Sequence, residues 1–289
     1  MYNLKIAYIL ILLFVIFNSK AQPVTWDGGA STSNWSDANN WNPNGVPTST
    51  SDVTIGDNFN VVVNSDVVCN SLTISTGSNI SSLTINSGSL TVSGATTISA
   101  NSNNDYKYIH INGGSFSTAS VTLNSTGNTR DAFIQISTGT CTVSGNITMN
   151  GTNVRTYIYF TGSGTLNIGG NFAGTGGITS AAGGGTTAPT NGTVNFNGTG
   201  AQTIPVFNGY YNLSISGNRT SNNVTFPNGG IVNISNVFSP TATFTTGNYI
   251  VTGNTINFNG TSDQNIPSFN FNNLTISGGS TKTLTGNVT

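Results

Sequence analysis

Short runs in which apolar and polar residues alternate recur along this chain at nearly constant distance. Tyr108-Ile109-His110-Ile111, Phe133-Ile134-Gln135-Ile136 and Tyr157-Ile158-Tyr159-Phe160 fall into register, and Ser82-Leu83-Thr84-Ile85 adds a copy upstream. Each run is followed by a glycine (Gly88, Gly114, Gly139, Gly164) and, a little further on, by an apolar residue (Leu90, Phe116, Cys141, Leu166). Alternation with period two predicts strands. A repeat of about 25 residues holding several short strands predicts the coils of a solenoid. With Ile109, Ile111 and their equivalents pointing inward, Tyr108, Phe133 and Tyr157 point outward in one column. His110, Gln135 and Tyr159 form the neighbouring column, with Lys107, Arg130 and Arg155 near its edge.

A second repeat follows. Asn195 to Pro205 returns as Asn257 to Pro267, and Asn212 to Gly217 as Asn273 to Gly278, a period of about 62. Triplets beginning at Val194, Leu213, Val232 and Ile256 divide it into three shorter steps, one coil each. The predicted organisation is a cap over 22–68, coils of period about 25 over 69–173, a Gly/Ala/Thr-rich loop or hinge over 174–191, and repeats of period about 62 over 192–289. The cap is inferred from Trp26, Trp35 and Trp41, since an open first coil would expose apolar side chains and unpaired strand edges. The text from Thr283 to Thr289 is still strand-like, so the chain is expected to be a fragment of something longer. The predicted fold is all-β: a parallel β-helix solenoid of about 19–26 residues per coil with a Trp-rich N-terminal cap.

Residues 1–21 carry a different signal. Lys5 precedes an unbroken apolar run from Ile6 to Phe17, and Ser19-Lys20-Ala21 supplies small residues before a cleavage point. That run is too short to span a bilayer, which takes about 20 residues. The expectation is a signal peptide and a secreted or cell-surface protein, with no membrane insertion after cleavage. Only 5% of residues are charged, and the eight acidic residues are all Asp. A mildly acidic mature chain argues against nucleic acid as a partner.

Candidate chemistry is sparse. Cys69 and Cys141 lie close to three coils apart, roughly 14 Å at about 4.8 Å per coil. That exceeds the ~7 Å limit for a disulfide, so both are expected as small buried hydrophobes. The tryptophans have a rival reading as a sugar-stacking surface, and Asp27, Asp37 and Asp52 one as a structural calcium site, although their spacing departs from a regular ligand loop. No other cofactor or metal is expected. Beyond the cap, Asp105, Asp131 and Asp263 are the only acids, and Arg130 and Arg155 share the Asp105 column. Stacked opposite charges fit a register-fixing ladder better than a hydrolytic pair, so no catalytic residues are assigned and the chain is not expected to be an enzyme. No regular T-x-T column extends over four coils. The candidate ligand-binding face is Tyr108, His110, Phe133, Gln135, Tyr157 and Tyr159, with Arg130 and Arg155. Its rings either meet sugar or protein partners, or cover one another beneath the 174–191 loop.

The run T-W-D-G-G-A-S-T-S-N-W-S-D-A-N-N-W-N-P-N-G-V-P, then S-D-V-T-I and V-V-C-N-S-L-T-I, resembles the start of large secreted repeat proteins of Bacteroidetes-type bacteria. The F-N-G-T…Q-x-I-P…N-L-x-I-S-G pattern resembles repeats common in that group. The resemblance implies a right-handed parallel β-helix and adhesin-like display at the cell surface, toward glycans or proteins. It identifies no binding residue. The function expected is an exported adhesin or structural stalk, with a carbohydrate-binding module or a remnant of a polysaccharide-active β-helix as the alternative.

Overall fold

A computed structural model describes residues 21–75, 77, 79–100, 106–126, 129–151, 155–183 and 187–288. Among the described residues the chain is all-β apart from one 3-10 turn, Ala38–Asn40, and its mostly parallel strands stack as a β-solenoid of about nine turns. Of the predicted signal segment, 1–21, residues 1–20 lie outside the described part.

Through the first two thirds each coil lays strands on three faces. One face stacks Asn60–Val63, Ser81–Ile85, Tyr106–Ile111, Asp131–Ile136, Thr156–Phe160 and Gly177–Thr179. The other two run through the long strands Ser89–Ala100 and Ser115–Ser125, which bend from one face onto the next. The register agrees with the apolar columns read from the sequence. Leu90, Phe116, Cys141 and Leu166 lie on one another, as do Ile85, Ile111, Ile136 and Phe160. These side chains are almost wholly buried and form one continuous apolar cluster along the interior. The glycine column is a consequence of tight stacking: a Cβ on Gly114 would stand 2.6 Å from the carbonyl oxygen of Gly88 and 2.7 Å from Ile85 Cγ2.

Three boundaries differ from expectation. Residues 22–68 already take part in the coils, since Gln22–Trp26 pairs in parallel with Ser51–Ile55, which pairs with Ser71–Ile74. The capping work falls to a smaller feature. Trp41–Asn42 pairs antiparallel with the outer edge of Gln22–Trp26, and Trp26, Trp35 and Trp41 pack edge to face with centroids 4.8 Å apart. All three rings are buried, so they offer no sugar-stacking surface.

The 174–191 segment is not a break either. Thr165–Ile168 pairs directly with Thr193–Phe196, and Gly177–Thr179 adds a strand on Thr156–Phe160. The strand ladder therefore continues past this segment. In the third case, Leu213 pairs with Phe238 rather than with Val232. The strand Ile231–Pro240 is long; its second half lies on Tyr210–Ile215 and its first half pairs with Thr255–Phe258. Triplet counting cannot see such a bend.

The longer repeat has a common fastening. Gln202 Nε2 donates to the carbonyls of Ile168 (2.9 Å) and Gly170 (2.7 Å), while its Oε1 accepts from Gly198 N. Gln264 does the same with Ile234 (3.0 Å), Asn236 (2.9 Å) and Gly260 N. Buried amide groups must find partners. The F-N-G-T…Q-x-I-P motif is therefore a corner in which one glutamine satisfies backbone groups of two coils.

Candidate functional site

The predicted face lies on the sheet that stacks Asn60–Val63 through Gly177–Thr179, and the stacking of its rings can be measured. Tyr108, Phe133 and Tyr157 are paired neighbours, with ring centroids 4.7 and 4.9 Å apart and planes within 7° of parallel. Parallel in-register strands place like side chains one coil rise apart, and flat rings fill that spacing without a gap. The column does not form an open ridge. Phe133 is 7% exposed and Tyr157 2%, so only Tyr108 retains a half-exposed ring.

The turn at Gly183 is what meets the Tyr157 hydroxyl. The Tyr157 hydroxyl donates to Asp131 Oδ2 at 3.1 Å and accepts from Gly183 N at 3.0 Å. Burial, reinforced by the Asp131 carboxylate, pushes its phenol well above the usual range, so it stays a donor. Arg155 Nη1 reaches Asp131 Oδ1 at 3.1 Å and the Gly183 carbonyl at 3.1 Å. Asp131, Arg155 and Tyr157 thus form a clamp that holds the Gly183 turn onto the sheet. Asp131 is fully buried, and a buried carboxylate needs such partners.

Arg155 meets Asp131 in the adjacent coil, and Arg130 places Nη1 on Thr126 O (2.8 Å) and Thr126 Oγ1 (2.9 Å). Asp105 lies outside the described residues. Asp263 accepts from Thr281 N in the last coil.

The second column remains more open. His110, Gln135 and Tyr159 are paired neighbours and half-buried. His110 Nε2 is 2.9 Å from Ser137 Oγ, which is 2.8 Å from Thr161 Oγ1. Burial lowers the His110 pKa below its ordinary value, so the ring is neutral at pH 7.

Asp27, Asp37 and Asp52 are not gathered. Each accepts hydrogen bonds nearby: Asp27 from Gly29 N, Asp37 from Thr32 and Asn39, and Asp52 from Asn70 and Ser71. Among the described residues no group of three His, Cys, Asp or Glu side chains comes together. Both cysteines are buried and unpaired as disulfides, with thiols pushed up to about 12 by burial, and for Cys69 also by Asp52.

One surface was missed in the sequence. Ser89, Ser115, Thr140, Thr165 and Thr193 form a single outward column over five coils. Beside it run Thr91, Ser117, Thr142, Asn167 and Asn195 in the same strands. A search for Thr alone fails because Ser and Asn occupy equivalent places. Together the two columns make an uncharged hydroxyl and amide array on a parallel sheet.

No family model, no curated protein and no solved structure matches this chain. Among the described residues no helix is long and apolar enough to cross a membrane.

Proposed function

We propose that the chain is an exported, non-catalytic solenoid that displays its faces at a cell surface, as an adhesin or a structural stalk of the kind its repeats resemble. The observation that carries this reading is the uncharged Ser/Thr/Asn array extending over five coils. Regularly spaced hydroxyl and amide groups suit a neutral, hydroxyl-rich partner such as a glycan. The ionisable groups of the aromatic face fit a supporting role, because Asp131, Arg155 and Tyr157 are engaged with one another and with the covering turn. Export is inferred from the apolar run Ile6 to Phe17.

The alternative, a carbohydrate-binding module or remnant of a polysaccharide-active β-helix, is favoured by one observation. Half-exposed Tyr108 ends the ring stack beside the half-buried His110, Gln135 and Tyr159. A glycan panel and a cell-adhesion assay separate the readings. An adhesin loses binding when Thr140, Thr142 and Thr165 are replaced by Lys, and keeps it in Tyr108→Ser. A module using the aromatic face gives the opposite pattern. A stalk binds nothing in either assay.

A further inference from the structure

The two ends of the solenoid are unlike. At the N-terminal end the outer strand Gln22–Trp26 is covered by Trp41–Asn42 and the buried tryptophans. At the C-terminal end, among the described residues, Asn273–Ile276 pairs only with Thr255–Phe258, and Lys282–Leu284 only with Gln264–Ile266. The side chains in core positions lie open there: Ile276 is 53% exposed and Leu284 52%. Asn273 N and Ser277 N donate back to Asn254 and Phe258. Because alternate residues of a parallel strand bond to opposite neighbours, Leu274 and Ile276 turn their N–H and C=O groups to the uncovered side.

The molecule contains the covered counterpart of this end. Asn212-Leu213-Ser214-Ile215 is the copy of Asn273-Leu274-Thr275-Ile276 in the preceding long repeat. Both copies sit on equivalent strands, Thr193–Phe196 and Thr255–Phe258. The earlier copy is overlaid by the second half of Ile231–Pro240, with Phe238 on Leu213 and Pro240 on Ile215. Under that cover Leu213 and Ile215 are fully buried, and the Ile215 carbonyl accepts from Thr241 N at 2.8 Å.

We infer that the Asn273–Ile276 edge is an acceptor for one more coil of the chain's own repeat type. The coil would run parallel to it, with an apolar side chain over Leu274, a small polar residue next, and a second apolar or proline residue over Ile276. The site continues the established coil-on-coil interface, and the incoming strand has the chemistry of Val237-Phe238-Ser239-Pro240. The proposal is independent of what the side faces bind.

The test appends a second copy of residues 229–253 after Thr289, in phase with the repeat. Hydrogen exchange at Leu274 and Ile276 is expected to slow by about tenfold or more, the sign of amides newly drawn into a ladder, and the melting temperature to rise. An extension with Asp in place of its Phe238 equivalent should do neither. In parallel, a synthetic peptide of residues 229–243 is titrated onto the unextended chain, with saturable binding expected and its loss expected in Ile276→Lys. Unchanged exchange in the extended chain together with no peptide binding overturns the inference, including where the extension fails to order. So does an unextended chain that sediments as a dimer and becomes monomeric in Ile276→Lys, because the occupant would then be a second copy.

Discussion

Ile136 and Gln135 are neighbours in one strand, yet they stand in different solvents. Ile136 is fully buried on the Ile111 column, whereas Gln135 is half-buried on the outer surface. Ile136→Asp would place a charge among apolar side chains without a partner, and unfolding of the local coils is expected. Ile136→Ala should cost about 2–5 kcal/mol, while Gln135→Asp should change stability by less than about 1 kcal/mol. Urea titration of the three variants measures this, and similar losses at both positions would reverse the assignment of faces. The cysteines behave by the same logic. With both thiols buried and pushed up to about 12, neither readily forms the thiolate that would attack a disulfide reagent. The native protein should react slowly, and two thiols should react after denaturation. A Cys69–Cys141 bridge found by mass spectrometry would contradict the stacking, because three coil steps separate their columns.

At the scale of the element, the Gly183 turn is joined to the sheet by the clamp below it. Tyr157→Phe removes the hydroxyl that joins Asp131 to Gly183 but keeps the ring on Phe133. Proteolysis in 180–183 should therefore quicken in Tyr157→Phe with the melting temperature lowered by only a few degrees, since one buried hydrogen bond is worth about 1 kcal/mol. Tyr157→Ser also breaks the ring stack and should lower it further. A turn equally resistant in both variants would mean that other contacts hold it. Much of this architecture was legible beforehand, because Ile109, Ile134 and Ile158 mark their strands at constant spacing and the rise of a parallel sheet puts Tyr108, Phe133 and Tyr157 in contact. The closure over Tyr157 was not legible. It depends on where Gly183 folds back, which a Gly-rich segment without alternation does not encode. The bend in Ile231–Pro240 was hidden for a related reason: both halves alternate, and only the partner strands distinguish them. The Ser/Thr/Asn face was obscured because three residue types share one role.

Across the whole molecule, stability is the sum of many contacts between successive coils, and a few polar ties span more than one step. Lys107 is fully buried, with Nζ 3.2 Å from Asp57 Oδ1 and further bonds to Ser81 Oγ and Asn79 O, so one side chain joins three coils. Burial works against the Asp57 carboxylate, but the Asn79 N–H and side-chain amide, with Lys107, outweigh it and hold the carboxyl at about 2 rather than 3.8. A depressed carboxyl lends its stability in full above its unfolded value and loses it as pH falls through the folded one. The melting temperature should therefore drop as pH falls from 3.8 toward 2. Asp57→Asn should start lower at pH 6 and lose less over that interval, and parallel curves would show that other carboxyls govern acid unfolding. The ladders of asparagine between coils bear on a different quantity, the protein's lifetime. Asn64, Asn86 and Asn112 are linked amide to amide at 3.3 and 3.2 Å, and Asn112 precedes Gly113. In a loose chain the glycine nitrogen attacks the asparagine side-chain carbonyl and expels ammonia, and water then opens the cyclic imide to aspartate or its backbone-shifted isomer. In this fold the Asn112 amide is tied to Asn86, and Gly113 N faces the Ile85 carbonyl at 3.4 Å. The stacking that sets the register therefore also slows chemical ageing, and a coil that opens repeatedly would gain a negative charge where its neighbours expect an amide.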